Sequence, residues 1–201
     1  IADGHHRAAA AARVARERGT VAAGFLATLF PAESLRICGY HRCVTDLNGL
    51  RSEAFLEKVS RVFRCREDVA PEPPRRGEAV FWLGDRSFRL QWPTPSPSDP
   101  VEALDVSVLQ NRLFAPLLGI KDARKDPRLL FVGGLNGAEK VRRLVETGGA
   151  AAGWVLAPCS INDLMSISDI GRVMPPKSTW FEPKLRSGLL VHVLDELSPC
   201  G

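Results

Sequence analysis

Apolar and polar positions alternate along this chain in two different periods, and the change of period predicts its elements. From Ser52 the apolar residues Phe55, Leu56, Val59, Val62 and Phe63 recur at helical spacing, so a helix capped by Ser52 is expected with one face in the core. Ala79–Leu83 and Ser87–Trp92, separated by Gly84-Asp85, read as two strands of a hairpin. Val106–Leu118 has Val108, Leu109, Leu113, Leu117 and Leu118 on one helical face, with Pro116 expected to kink its end. Arg128–Val132 reads as a strand ending in Gly133-Gly134, a turn without the G-x-G-x-x-G spacing of a phosphate loop. A helix follows from Asn136 or Gly137 to Val145 and closes at Gly148-Gly149. Ala150–Ala157 reads as a strand, and Ser160 as the cap of a helix running to about Ile170. The nearly continuous apolar run Val21–Phe30 reads as a buried strand with Leu35–Tyr40 as its hairpin partner, which would deliver His41 and Arg42 to a strand end. Strands and helices in this order imply an α+β (mixed α/β) fold, with mixed sheets and packed helices. The proline-rich stretch Pro93–Pro100 is the one plausible boundary, between a region 1–92 and a region 101–201, with one intertwined domain as the alternative.

Composition narrows the functional classes. With 201 residues, 45% hydrophobic and 25% charged, the chain is an ordinary globular one. Its formal net charge of +4 suits a phosphate ligand, but the interspersed signs do not make a nucleic-acid surface. No apolar run reaches membrane-spanning length. The five cysteines, Cys38, Cys43, Cys65, Cys159 and Cys200, have no metal-binding or disulfide spacing, and reduced cytoplasmic thiols are expected. The chain opens as if on the last residues of a strand, without a methionine, so it reads as an N-terminally truncated fragment.

Two stretches carry candidate chemistry. Asp3-Gly4 is a tight turn, and His5-His6-Arg7 runs from it into an alanine-rich helix. A first helical turn has free N–H groups and the positive end of the dipole, so it favours anions, and phosphate in particular. Gly4 lets a ligand approach the backbone, and Arg7 can grip two phosphate oxygens. Taken alone, the same string also fits a solvated helix start capped by Asp3. The second stretch, Val173–Leu189, is stiffened by three prolines and anchored by Trp180 and Phe181. Its Lys177, Ser178, Thr179 and Lys184 could meet a polyanion, and it is expected to share a ligand with Asp3–Arg7.

The Asp3-Gly4-His5-His6-Arg7 string is similar to the nucleotide-phosphate motif of the ParB and sulfiredoxin superfamily, whose free-serine kinases carry a string much like it. In sulfiredoxins a nucleophilic cysteine stands where this chain has His5, so reduction of a sulfinic acid is not expected. His6 and Arg7 match the phosphate-holding positions. Further strings recur in order: His41-Arg42-Cys43-Val44, Leu109–Ile120, Phe131-Val132-Gly133-Gly134, and Met174-Pro175-Pro176-Lys177-Ser178-Thr179-Trp180-Phe181-Glu182-Pro183-Lys184. Together they resemble the bacterial and archaeal "domain of unknown function 1015" family, in which a tyrosine often stands at the position of Ala8.

This resemblance implies a nucleotide-dependent phosphotransferase, with ATP or ADP and Mg2+ as cofactors and a small hydroxylated metabolite such as serine as acceptor. Gly4, His5, His6 and Arg7 would hold phosphates, with His41, Arg42, Ser178, Thr179 and Lys184 completing the anion site. Lys177 or Lys184 would neutralise the transferred group, and Asp3 is the candidate base. A non-catalytic nucleotide-binding switch is the alternative. A metal-dependent hydrolase built on His5, His6 and His41 comes last, because adjacent helical histidines point about 100° apart.

Overall fold

The structure is a computed structural model describing residues 1, 3–18, 24–93, 99–186 and 188–191. Its elements in chain order are helix α1 (His5–Arg18), strands β1 (Arg36–Cys38) and β2 (His41–Val44), helix α2 (Ser52–Val62), and strands β3 (Arg64–Glu67), β4 (Glu78–Leu83) and β5 (Arg86–Gln91). Helix α3 (Asp105–Leu109), a π-helical turn (Gln110–Phe114) and helix α4 (Ala115–Leu118) then run on continuously. The chain continues through β6 (Leu129–Val132), α5 (Gly137–Glu146), β7 (Ala152–Leu156), α6 (Ile161–Asp169) and β8 (Trp180–Glu182). This is an α+β fold. The chain forms two compact units, one of Ile1–Arg36 with Phe181–Gly201, the other of Ile37–Trp180. The proline-rich stretch Pro93–Pro100 falls within the second unit; its residues 94–98 lie outside the described ones.

The larger unit is built on a six-stranded sheet in the order β3-β5-β4-β7-β2-β6. Each of its five pairings is antiparallel. The side-chain alternation of the strands separates two apolar layers. Val44, Ala79, Phe81, Phe88, Leu90, Ala152, Trp154 and Leu156 face the larger core with Phe55 and Val59 of α2 and with Leu109, Leu113, Phe114 and Leu118. Trp154 stacks on Phe81 at 5.1 Å between ring centroids and 11° between planes, and meets Phe114 edge-on at 5.1 Å. Cys43, Val80 and Val155 face the other way, against Val141 and Val145 of α5. Every residue of β7 is buried, as expected for a strand covered on both faces.

The hairpin at 79–92, the strands at 128–132 and 150–157, and the helices at 52, 137 and 161 stand where the apolar periods place them. At α6 the cap is reciprocal. Ser160 Oγ accepts from the Asp163 N–H at 3.0 Å, and the Asp163 carboxylate accepts from the Ser160 N–H at 2.9 Å. At α2, by contrast, Arg51 is the cap residue and Ser52 already lies in the helix, with no side-chain cap bond. The helix expected over 106–118 bulges one turn before Pro116. Proline lacks the N–H that would bond four residues back, and the wider π turn absorbs the mismatch. The run ends at Gly119, left-handed at φ 70°, with the Ile120 N–H bonded to the Phe114 carbonyl at 2.9 Å.

One apolar run does not become a strand. Residues 24–30 form neither helix nor strand and are exposed throughout, while the rest of that run, 21–23, lies outside the described residues. Apolar composition makes a strand only where a neighbour takes the backbone hydrogen bonds, and no strand pairs with 24–30 among the described residues. Leu35–Tyr40 does yield β1, but without that hairpin partner. Ala2 lies outside the described residues, and Ile1 is not in a strand.

α5 approaches the sheet closely because β7 has Gly153 beneath it. A Cβ at Gly153 would lie 2.5 Å from Val141 Cγ1, 3.2 Å from Val145 Cγ2 and 3.3 Å from Cys43 Sγ. Val141 is β-branched and stiff in a helix, so it cannot swing aside. Gly153→Ala is expected to destabilise the protein by about 1–3 kcal/mol through overpacking. Urea unfolding checks this, and in a Val141→Ala background the penalty should fall to a fraction of that.

Candidate functional site

The smaller unit carries the turn that opens α1. Gly4 is left-handed at φ 84°, and its carbonyl accepts the first helical bond from the Ala8 N–H at 3.0 Å. Gly4 is therefore the cap residue, and Asp3 stands one position outside the helix rather than capping it. Only a residue without a Cβ adopts this turn readily. Arg7 folds back over it, because a Cβ at Gly4 would lie 3.1 Å from Arg7 Nη2 and 3.3 Å from its Nε. Asp3, His5, His6 and Arg7 are exposed and Gly4 half-buried. The first turn of α1 has no acidic residue to neutralise its dipole. Its positive end and a guanidinium thus meet at one exposed point, an arrangement suited to an anion. The rings of His5 and His6 lie 6.2 Å apart at 65°.

The larger unit carries the other expected residues except Lys184, on β2 and in the loop that precedes β8. His41 and Arg42 are 5% and 4% exposed, so they are not a solvated strand terminus. Strand alternation puts them on opposite faces of the sheet. On the α5 face, His41 wedges between two glycines. A Cβ at Gly39 would lie 2.5 Å from its Cε1, and one at Gly137 2.7 Å from its Cδ2. Its Nδ1 accepts from the Leu156 N–H at 3.2 Å, which places the ring proton on Nε2. Burial, helped by the charge of Arg42, lowers its pKa to about 4, so the imidazole is neutral at physiological pH.

On the other face, Arg42 Nη1 donates to the Tyr40 carbonyl at 2.8 Å and the His41 carbonyl at 3.3 Å, and Nη2 donates to the Pro176 carbonyl at 3.1 Å. Its guanidinium lies 4.6 Å from the Phe131 ring centroid. Burial lowers its pKa to about 10, still well above neutrality. Beyond Pro176, Lys177 is exposed and left-handed at φ 54°, with Nζ 6.0 Å from the Tyr40 ring centroid. Ser178 is buried and its hydroxyl donates to the Pro175 carbonyl at 2.8 Å. Thr179 is half-buried. Trp180 packs against the backbone of Gly133, where a Cβ would lie 2.3 Å from its ring, and meets Tyr40 edge-on at 5.4 Å. Gly133 therefore belongs to an aromatic contact. Lys184 is exposed, in the smaller unit. His41, Arg42, Lys177, Ser178 and Thr179 thus share one unit, while Asp3–Arg7 and Lys184 belong to the other.

Sequence reasoning passed over a third group. Asp105 accepts from the Gly77 N–H at 3.0 Å, and Arg76 pairs with Asp163 at 2.7 Å. Burial raises the Asp105 pKa to about 6 against the opposing pull of the Gly77 N–H. Burial, reinforced by the Asp163 and Asp105 charges, pushes the Cys159 thiol up to about 12. The only sequence signal for Asp105 was an acid at the start of a helix, which is ordinary. Cys38, Cys43, Cys65 and Cys159 are all free thiols, and Cys200 lies outside the described residues.

The sheet order, the covering helices and the glycine-opened helix define an α+β protein with an anion-favouring turn. Residues 1–107 match the family described as protein of unknown function (DUF1015), and the chain belongs to that family. None of the curated proteins matches it. Among solved structures it resembles a free serine kinase variant in complex with AMP, at 18% identity and TM-score 0.51, over 90% of this chain and 66% of that one. It also resembles a conserved hypothetical protein from Pyrococcus furiosus, at 17% identity and TM-score 0.50, over 90% of this chain and 68% of that one. The likeness is one of fold, and the chain spans less than two thirds of the kinase's length. No described helix is long and apolar enough to cross a membrane.

His41 and Asp105 pull stability in opposite directions between pH 4 and 6.5. The unfolded chain protonates His41 near 6.5 and the folded protein only near 4, so acidification there favours unfolding. Asp105 gains its proton near 6 when folded and near 3.8 when unfolded, so acidification there favours folding. Asp105→Asn keeps an acceptor for Gly77 and leaves His41 unopposed. The variant is expected to gain about 1–2 kcal/mol at pH 7.5 and to lose stability more steeply than wild type from pH 6.5 to 4.5. Thermal melts across that range check both signs.

Proposed function

We propose that the protein binds ATP or ADP through its phosphates and transfers a phosphoryl group to a small hydroxylated metabolite such as serine. The observation that carries this reading is the exposed turn at α1, where the Arg7 guanidinium lies over left-handed Gly4 at a helix start without acidic side chains. Backbone N–H groups and Arg7 would hold phosphate oxygens there, with His5 and His6 as further donors. Family membership and the resemblance to a fold seen with bound AMP support it.

In the transfer, the acceptor hydroxyl oxygen bonds to the terminal phosphorus as the bond to the bridging oxygen breaks; that oxygen keeps the electron pair and leaves as part of the shortened nucleotide, ADP from ATP or AMP from ADP. The hydroxyl proton passes to the Asp3 carboxylate. Lys177 or Lys184 neutralises charge on the transferred group, with Arg42, Ser178 and Thr179 supporting the turn that carries Lys177. His41, buried and neutral on the opposite face of the sheet, takes no part in the site. Mg2+ in such sites is held by one or two carboxylates together with the substrate's phosphates. No cage of three or more metal-ligating side chains occurs among the described residues, and Asp3 serves here as the base, so the ion would be held chiefly by the nucleotide's own phosphates. The ion would shield phosphate charge.

Arg7→Ala is expected to weaken ADP binding by about 1.5–3 kcal/mol, the worth of a charge-assisted contact. Calorimetric titration of wild type and variant checks it, and equal affinities would remove Arg7 from the site. Incubation with ATP and serine, read by phosphorus NMR, tests transfer. Tight nucleotide binding without a phosphorylated product would favour a non-catalytic switch.

A further inference from the structure

The larger unit holds two arginines that are almost completely buried, and they are treated differently. Arg89, 6% exposed, pairs with Asp68 at 2.8 Å and Glu78 at 3.2 Å. Arg42, 4% exposed, pairs with no carboxylate among the described residues. Carbonyl oxygens take its place: Tyr40 just before its strand, His41 on it, and Pro176 from far along the chain. A buried charge without a counter-ion is costly, and an apolar side chain of similar size would fill the same space more cheaply. What an apolar residue could not do is tie the Pro176 peptide to β2.

The next residue after that peptide is Lys177, whose φ of 54° is strained for a residue with a Cβ. The turn is fastened on its other side by the Ser178 hydroxyl bonded to the Pro175 carbonyl at 2.8 Å. The result is an exposed ammonium set beside the Tyr40 ring, and Lys177, like Arg42, has no carboxylate partner among the described residues. The guanidinium points at carbonyls and an aromatic ring, and its burial leaves it out of reach of a ligand at the surface.

We infer that Arg42 is a positioning residue, which acts through the Pro176 carbonyl to hold the 175–178 turn and set Lys177 for an oxyanion, and does not itself touch the ligand. The oxyanion part rests on the phosphate-binding reading; the positioning part does not.

Limited trypsin cleavage at the Lys177–Ser178 bond reads the turn without any ligand, because cleavage of a folded loop follows its local opening. Wild type, Arg42→Met, Arg42→Lys and the core variant Val59→Ala are compared under native conditions, with melting temperatures measured alongside. Both Arg42 variants are expected to be cut at this bond at least tenfold faster than wild type, and Val59→Ala is not. Arg42→Lys keeps the charge and most of the volume, so it remains informative if Arg42→Met does not fold. An ammonium cannot span the Tyr40 and Pro176 carbonyls as a planar guanidinium does. Cleavage of Arg42→Lys at the wild-type rate, or equal acceleration in Val59→Ala, would overturn the inference.

ADP titration supplies the second arm. Arg42→Lys is expected to weaken ADP binding about tenfold when Lys177 is present and to add no further loss in a Lys177→Ala background. A further loss there would make Arg42 a direct ligand contact and overturn the inference. If wild type binds no ADP, the phosphate reading fails, while the cleavage arm still decides what Arg42 does.

Discussion

A charged guanidinium that is buried must be satisfied by something, and at Arg42 it is satisfied by main-chain oxygens. This requirement links parts of the larger unit that the sheet alone would leave independent. The strand β2 that carries Arg42 is paired on both sides, with β7 and with β6, so the guanidinium is presented from a rigid support. Phe131 on neighbouring β6 supplies an aromatic face for it. The Pro-Pro-Lys-Ser turn, more than 130 residues away in sequence, is thereby tied to the sheet. His41 on the opposite face is held as firmly, by the Leu156 N–H and by glycines that leave room for its ring. Adjacent residues on one strand are thus fixed on opposite faces of the sheet, and both are polar groups in what would otherwise be an apolar strand.

Much of this architecture is legible in the sequence, for local reasons. The β4-β5 hairpin follows from two apolar-rich runs on either side of Gly84-Asp85, and α2 from an apolar face that recurs at 3.6 residues. The α6 cap follows from Ser160 and Asp163 at the spacing that lets each bond the other's backbone. The less legible parts depend on partners far along the chain. β3, an edge strand of Arg64, Cys65, Arg66 and Glu67, has no apolar pattern and exists because β5 offers it hydrogen bonds. Residues 24–30 have the apolar pattern, but no strand among the described residues pairs with them. The π turn at 110–114 answers to Pro116 and to the packing of Leu113 and Phe114, not to any periodicity of its own.

The candidate site divides along the same line. Gly4 and Arg7 were readable because a glycine before a helix and an arginine one turn on have a local meaning. His41 and Arg42 were readable as chemistry-bearing residues, but their burial and their distant partners were not, since the Leu156 N–H lies on β7 and the Pro176 carbonyl before β8. Lys177 stood out through its proline neighbours, although nothing in the sequence signals its left-handed backbone. Asp105 was invisible, because its raised pKa arises from tertiary burial.

The central claim, a phosphate site at the start of α1, is tested most directly by a crystal structure of the protein with ADP. Phosphate oxygens are expected within hydrogen-bonding distance of the first N–H groups of α1 and of the Arg7 guanidinium, with Gly4 unobstructed beneath them. A nucleotide bound elsewhere, with its phosphates away from Gly4 and Arg7, would contradict it.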